Sequence, residues 1–510
     1  MKNPLNAELF RLRESLKPFR QQDGGKVEVG MIEQQWPVIE QCERAVREHR
    51  PKQHDLVDDL WGHLVGACES IVRHADWPAP NERWKVIRRI LLKASSDESP
   101  KPAEDQDEDD KEDGPPSYGW PAPRVDAAEG LLFLVHRLGK SDRAITAAIL
   151  KLSRDKSHPV RFNIAKSLAV LEEVAPELIW KLIDLFILHE EKFSVLNAVV
   201  LSLDRLWFRA ADKVKPRLAE IAKRAMQSAH DGHDIHETLA GTHLFRFLRT
   251  GDLECGAFID ILIADCDRHR NSHAIGAQLH SCRSGHWLTV GDAGKIIEAE
   301  EAVRKRTWGF FGKLLTTAQS KLQYHQERWQ QLHSAGQSVI DEVKSTQEAI
   351  NLTTRLVGGI AMQLYFACGA FADKQNKEED HLTEPQKRRF WKESADLFNA
   401  LATEIHPHTA HQVVEALHHL LSCAPCEVFL TATRAIISSS RAGYQHESIA
   451  VKDVVKLIQQ ALADHREIFQ TTGGKESECL AALLKVLDLF VEAGWAEARQ
   501  LTHRLEEIYR

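Results

Sequence analysis

The segment Asp155-Lys-Ser-His-Pro-Val-Arg-Phe-Asn-Ile-Ala-Lys-Ser-Leu-Ala-Val-Leu171 constrains the fold more than any other stretch of this chain. Asp155 and Ser157 are turn and cap residues, Pro159 suits a first helical turn, and Ile164, Leu168 and Leu171 follow at helical spacing. A helix of this kind has one apolar face and cannot bury it alone. It must stack on neighbours of the same kind, which is the logic of a helical solenoid. Setting Ala165 over Ala198 also sets Leu168 over Leu201, so a period of 33 residues is expected.

The rest of the sequence reads as helices in the same manner. Residues 1–95 carry about four amphipathic patterns, and period-two alternation is nearly absent, so a sheet is not expected. Ser95 to Tyr118 has almost no apolar residue, which predicts a disordered linker over 96–119. Helical repeats are expected over 120–290, long helices over 291–380 and further repeats over 381–510. Between Pro216 and Pro385 there is no proline, and Ala293 to Glu348 is rich in Gln, Glu, Lys and Ala, which predicts a long helical hairpin near 293–350. Trp36, Trp61, Trp77, Trp84, Trp120 and Trp180 mostly lie among apolar residues at helical spacing and read as core. The expected fold is an all-α solenoid of stacked helical pairs with that hairpin inserted.

The net charge of −8 misleads, because Asp97 to Asp113 holds ten acidic residues and two lysines and accounts for all of it. Nine scattered cysteines fit reduced thiols better than a disulfide framework. With no basic-then-apolar start, a cytoplasmic location is expected. Leu356 to Ala372 carries no charge for 17 residues, yet it is short for a membrane span and has Gln363 in its middle. It reads as a buried helix, with Gly358, Gly359 and Gly369 suited to close packing, and no membrane association is expected.

Sites of chemistry are few. Gly291 to Lys295 and Gly473 to Lys475 lack the spacing and the Ser or Thr of a phosphate-binding loop, which argues against nucleotide hydrolysis. His233 and Asp234 sit in a His- and Asp-rich turn where adjacent donors could ligate a divalent metal. The competing reading is a capped turn between helices. His408, His411, Glu415 and His418 or His419 would share a helical face, followed by Cys423 and Cys426, a donor set that zinc accepts. A turn after a helix explains the Cys-x-x-Cys pair equally well. Cys266, His269, His273, His280, Cys282 and His286 form a less regular group. Arg137 to Arg224 holds 17 basic and 11 acidic residues. Arg137, Lys140, Arg143, Lys151, Arg154, Lys156, Arg161 and Lys166 supply most of that excess and are candidate phosphate contacts. Arg161 is also placed to bridge successive repeats.

Three resemblances add to this reading. Asp155, Val160, Arg161, Ala165 and Leu168 resemble a HEAT-type repeat, clearest over 150–210. His233-Asp234-Ile235 resembles the His-Asp core of HD-type phosphohydrolases, which implies further ligands such as His189 and Asp260 or Asp265. Gly443 to Ser448, Leu462 to Glu467 and Leu487 to Leu501 are similar to the C-terminal helical region of large bacterial NTPase-type proteins, some associated with defence against phage. That last resemblance implies a sensor or scaffold region working beside a separate catalytic module, and no catalytic residues carry over. The expectation is a non-enzymatic scaffold or sensor subunit that binds a protein partner, such as an NTPase or nuclease subunit, and needs no cofactor. The alternatives are a nucleic-acid-binding solenoid and, third, an HD-like metal-dependent phosphohydrolase.

Overall fold

The computed structural model describes residues 4–19, 29–50, 55–100, 115–116, 118–119, 121–140, 142–228, 233–284, 287–288, 298–334, 340–371, 382–403, 407–470 and 477–509. Every regular element among them is helical. The acidic run from 101 to 114, Trp120 and the Gly-Lys segments at 291–295 and 473–475 lie outside the described residues. Two compact units divide the chain, Met1–Leu239 and Ala240–Arg510.

The first unit contains α1 (Pro4–Leu16), α2 (Val29–His49), α3 (Asp55–His74), α4 (Glu82–Ala94), α5 (Pro123–Leu138), α6 (Arg143–Leu152), α7 (His158–Lys166), α8 (Pro176–His189) and α9 (Phe193–Gln227). Helices α3, α5, α7 and α9 form one row in which each packs on the next, and α4, α6 and α8 lie against that row. Proline opens α5, α7 and α8, where a missing N–H costs nothing because the first turn has no partner for it. Trp36, Trp61, Trp77 and Trp84 are buried, as the sequence predicts.

The repeat length differs from the expected 33. Helices α5, α7 and α9 begin at Pro123, His158 and Phe193, two steps of 35 residues. At 35 residues Val160 overlays Val195, Ile164 overlays Val199 and Leu168 overlays Leu203, all buried. Leu201, the partner expected for Leu168, is 46% exposed. A shift of two residues turns a helix by about 200°, which carries that side chain to the opposite face.

The second unit follows α10 (His233–Thr250) with α11 (Leu253–Ala264), α12 (His269–Ser284), α13 (Glu298–Ser334), α14 (Ile340–Ala367), α15 (Glu384–Thr403), α16 (Pro407–Leu420), α17 (Pro425–Ser440), α18 (Ser448–Asp464), α19 (Glu478–Glu492) and α20 (Ala496–Tyr509). Helices α13 and α14 are the long hairpin, and Arg328 reaches Glu342 near its turn. Each arm also belongs to a row: α13, α15, α17 and α19 in one, α12, α14, α16 and α18 in the other. Glu393 on α15 accepts from Arg304 Nε and Trp308 Nε1 of α13, both at 3.0 Å, and so ties the hairpin to the stack. The uncharged stretch after Leu356 is core: Gln363 is buried and its Oε1 accepts from Arg283 Nε at 2.9 Å. A Cβ on Gly359 would lie 3.1 Å from Leu279 Cδ1, so the two helices approach closely there. No helix among the described residues is long and apolar enough to cross a membrane.

Candidate functional site

Acidic residues at successive turns of the first unit are each held by an arginine. Asp155 Oδ1 accepts from the Ser157 N–H at 2.9 Å, closing the turn before α7. Its other oxygen lies 3.0 Å from Arg124 Nε on α5. Arg161 grips both oxygens of Glu190 at 2.7 and 2.9 Å, and donates at 2.7 Å to the Asp155 carbonyl. Glu190 is only 1% exposed and also accepts from the Lys192 N–H at 2.9 Å. One turn earlier Asp97 accepts from Arg50 and from Trp61 Nε1, while Arg124 donates to the carbonyls of Asp97 and Pro100. The result is a ladder of charge-assisted bonds along one end of the row. Beside it lies a cleft of about 520 Å³, floored by Leu185 and Phe186 and rimmed by Arg154, His189 and Glu191.

This ladder sorts the eight expected cations. Arg161 is a repeat bridge, as the sequence predicts. Arg137 donates to the carbonyls of Val72 and Arg73 at the end of α3, and Lys166 lies 3.0 Å from buried Glu129. Lys140, Arg143, Lys151, Arg154 and Lys156 are exposed. The first two lie by the start of α6 and the other three by its end, about 15 Å apart for a ten-residue helix.

Asp234 is exposed, and the side chain of His233 lies outside the described residues. Of the other ligands that the HD-type resemblance implies, His189 is exposed and lines the cleft beside the ladder, Asp260 pairs with Lys313 at 2.6 Å and Asp265 with Arg268 at 3.3 Å. On α16 the side chain of His408 is also outside the described residues, and His411 and Glu415 are half-buried. Burial, with the Glu415 carboxylate beside it, pushes the Tyr365 hydroxyl above its usual range. Burial likewise lowers His418, which bonds Gln460. Cys266 and Cys282 are buried thiols pushed up to about 11 and about 12 by desolvation. Among the described residues no group of three or more His, Cys, Asp or Glu side chains is arranged to hold a metal ion. Cys423 is pushed up to about 11, chiefly by burial. Cys426 faces a residue the sequence offers no signal for, with its sulfur 3.4 Å from Cys479 Sγ.

A second surface lies on α11. Its sequence, LECGAFIDILIA, is apolar nearly all round, a pattern that normally marks a helix enclosed on every side. Cys255, Gly256, Ile259, Leu262 and Ile263 face inward against α12 and α13. Leu253 is nevertheless 83% exposed and Ile261 56%, and the exposed Ala257 and Ala264 complete the same outer stripe. The pair of Asp260 and Lys313 edges it.

No protein-family model matches this chain, and no curated protein matches it. Among solved structures it is similar to a chain from the complex in which Kap95p binding switches the loops of RanGDP, in the context of nuclear import complex assembly. The identity is 9% and the TM-score 0.39, over 98% of this chain and 65% of that one. This chain therefore spans about two thirds of the length of the one it matches.

Proposed function

We propose that this protein is a helical-repeat scaffold whose second unit docks a partner protein on the outer face of α11. The observation that carries this reading is the exposed stripe of Leu253, Ala257, Ile261 and Ala264 on a helix apolar enough to be enclosed. Contiguous exposed apolar surface of this kind is costly in water and is relieved when a partner covers it. The occupant is a protein with a matching apolar face. The resemblance of the C-terminal segments to defence-associated NTPase-type proteins makes an NTPase or nuclease subunit of a bacterial system the candidate partner.

The test is co-purification from the native host, with and without nuclease treatment. A stoichiometric protein partner that survives nuclease, and is lost from Leu253→Glu and Ile261→Glu variants with unchanged helicity, supports the reading. Unaltered capture by both variants overturns α11 as the surface. A second reading, nucleic-acid binding, is favoured by Lys151, Arg154 and Lys156 standing exposed at and just beyond the end of α6. It predicts capture that nuclease abolishes, with affinity falling with salt at a logarithmic slope of about −3 if all three neutralise phosphates.

A further inference from the structure

Two cysteines 53 positions apart meet where the first turns of α17 and α19 touch. Cys426 follows Pro425 in the opening turn of α17 and is exposed. Cys479 lies in the opening turn of α19 and is buried. Their sulfurs are 3.4 Å apart, about 1.4 Å longer than a disulfide bond. Cys423, which the sequence pairs with Cys426, instead ends the turn after α16, its N–H donating to the Leu420 carbonyl at 3.0 Å. We propose that Cys426 and Cys479 are a redox modification site, a dithiol that a peroxide converts into a reversible disulfide joining α17 to α19.

The two sulfurs divide the work by exposure. Cys426 is open to solvent and is the sulfur that a dissolved peroxide reaches first. Burial, with the Cys426 thiol beside it, pushes Cys479 up to about 12, so this sulfur keeps its proton and acts second. In the first step the Cys426 thiolate attacks one peroxide oxygen. The O–O bond breaks, an S–O bond forms, and the leaving hydroxide takes up a proton to become water. In the second step the Cys479 sulfur attacks Cys426, the S–O bond breaks and the S–S bond forms. The departing hydroxide takes the Cys479 proton as a second water. Two thiols have lost two electrons and one peroxide has become two waters. A thiol reductant reverses the change by exchange.

The test uses the full chain exposed to hydrogen peroxide, followed by alkylation of free thiols, digestion without reduction and mass spectrometry. The expected product is a Cys426–Cys479 linked peptide, lighter by two hydrogens and lost on reduction, with alkylation of Cys426 reduced by about tenfold or more. Cys479→Ser should abolish the link and leave Cys426 as a sulfenic acid that a dione probe traps, while Cys423→Ser leaves the link intact. A Cys423–Cys426 link, or both Cys426 and Cys479 fully alkylated after peroxide, overturns the proposal. If Cys479→Ser fails to fold, the linked peptide in the unaltered protein decides alone.

Discussion

Glu69 on α3 shows what one half-buried carboxyl does to this core. It lies against Arg73, which also reaches Glu129, and Glu129 in turn accepts from Ser167 Oγ at 2.6 Å. Burial dominates its titration, Arg73 opposes burial and Glu129 adds to it, leaving Glu69 raised from 4.5 to about 7. The folded state thus holds this proton where the unfolded chain has already lost it. Its stabilising contribution is complete below the unfolded value and is lost as the pH rises through about 7. Glu69→Gln should therefore lose less stability than the unaltered protein between about pH 5 and pH 8, by at most about 3 kcal/mol. Urea unfolding at the two pH values measures this, and parallel losses in both proteins would assign the titration to another group.

At the scale of elements, the turn ladder ties successive repeats together. Arg161 bonds both oxygens of Glu190, and Glu190 is almost wholly buried. Arg161→Ala would leave that carboxylate with backbone N–H donors such as that of Lys192, at a cost of about 3 kcal/mol or more. Arg161→Lys should restore little, since one ammonium cannot make the paired bonds of a guanidinium. Denaturant midpoints of the two variants test both statements, and near-complete rescue by lysine would mean that charge alone matters. The same ladder marks how far the sequence reaches. Asp155, Pro159 and Arg161 announce their roles because turn, first-turn and bridge chemistry are local. The register does not announce itself: Ala165 overlays Ala198 as well at 33 residues as other apolar pairs do at 35, and only burial separates them. Partners far along the chain are equally silent. Glu190 lies 29 residues from Arg161 and Cys479 lies 53 from Cys426, and nothing in either pair's spacing links them. Gly62 is silent in another way, because its reason is an absent side chain: an added Cβ would stand 2.1 Å from Pro121 Cβ.

For the whole molecule, the consequence of stacking is that strain stays local. Each helix of either unit packs mainly on its row neighbours and its own pair, so stability is a chain of neighbouring terms rather than one shared core. A defect at Arg161 should raise amide exchange in α5, α7, α8 and α9, which share the ladder and the packing around it. Exchange in α15, α16, α17 and α19 should stay unchanged, because among the described residues the row contacts of α7 run to its own neighbours α5 and α9. Hydrogen exchange read by mass spectrometry on the full-length Arg161→Ala protein distinguishes the two regimes, peptide by peptide. Faster exchange confined to the first unit means that a partner held by α11 would not feel a weakened turn before α7. Equal acceleration in both units would mean that Met1–Leu239 and Ala240–Arg510 open as one cooperative body, and that binding at either could stabilise the other.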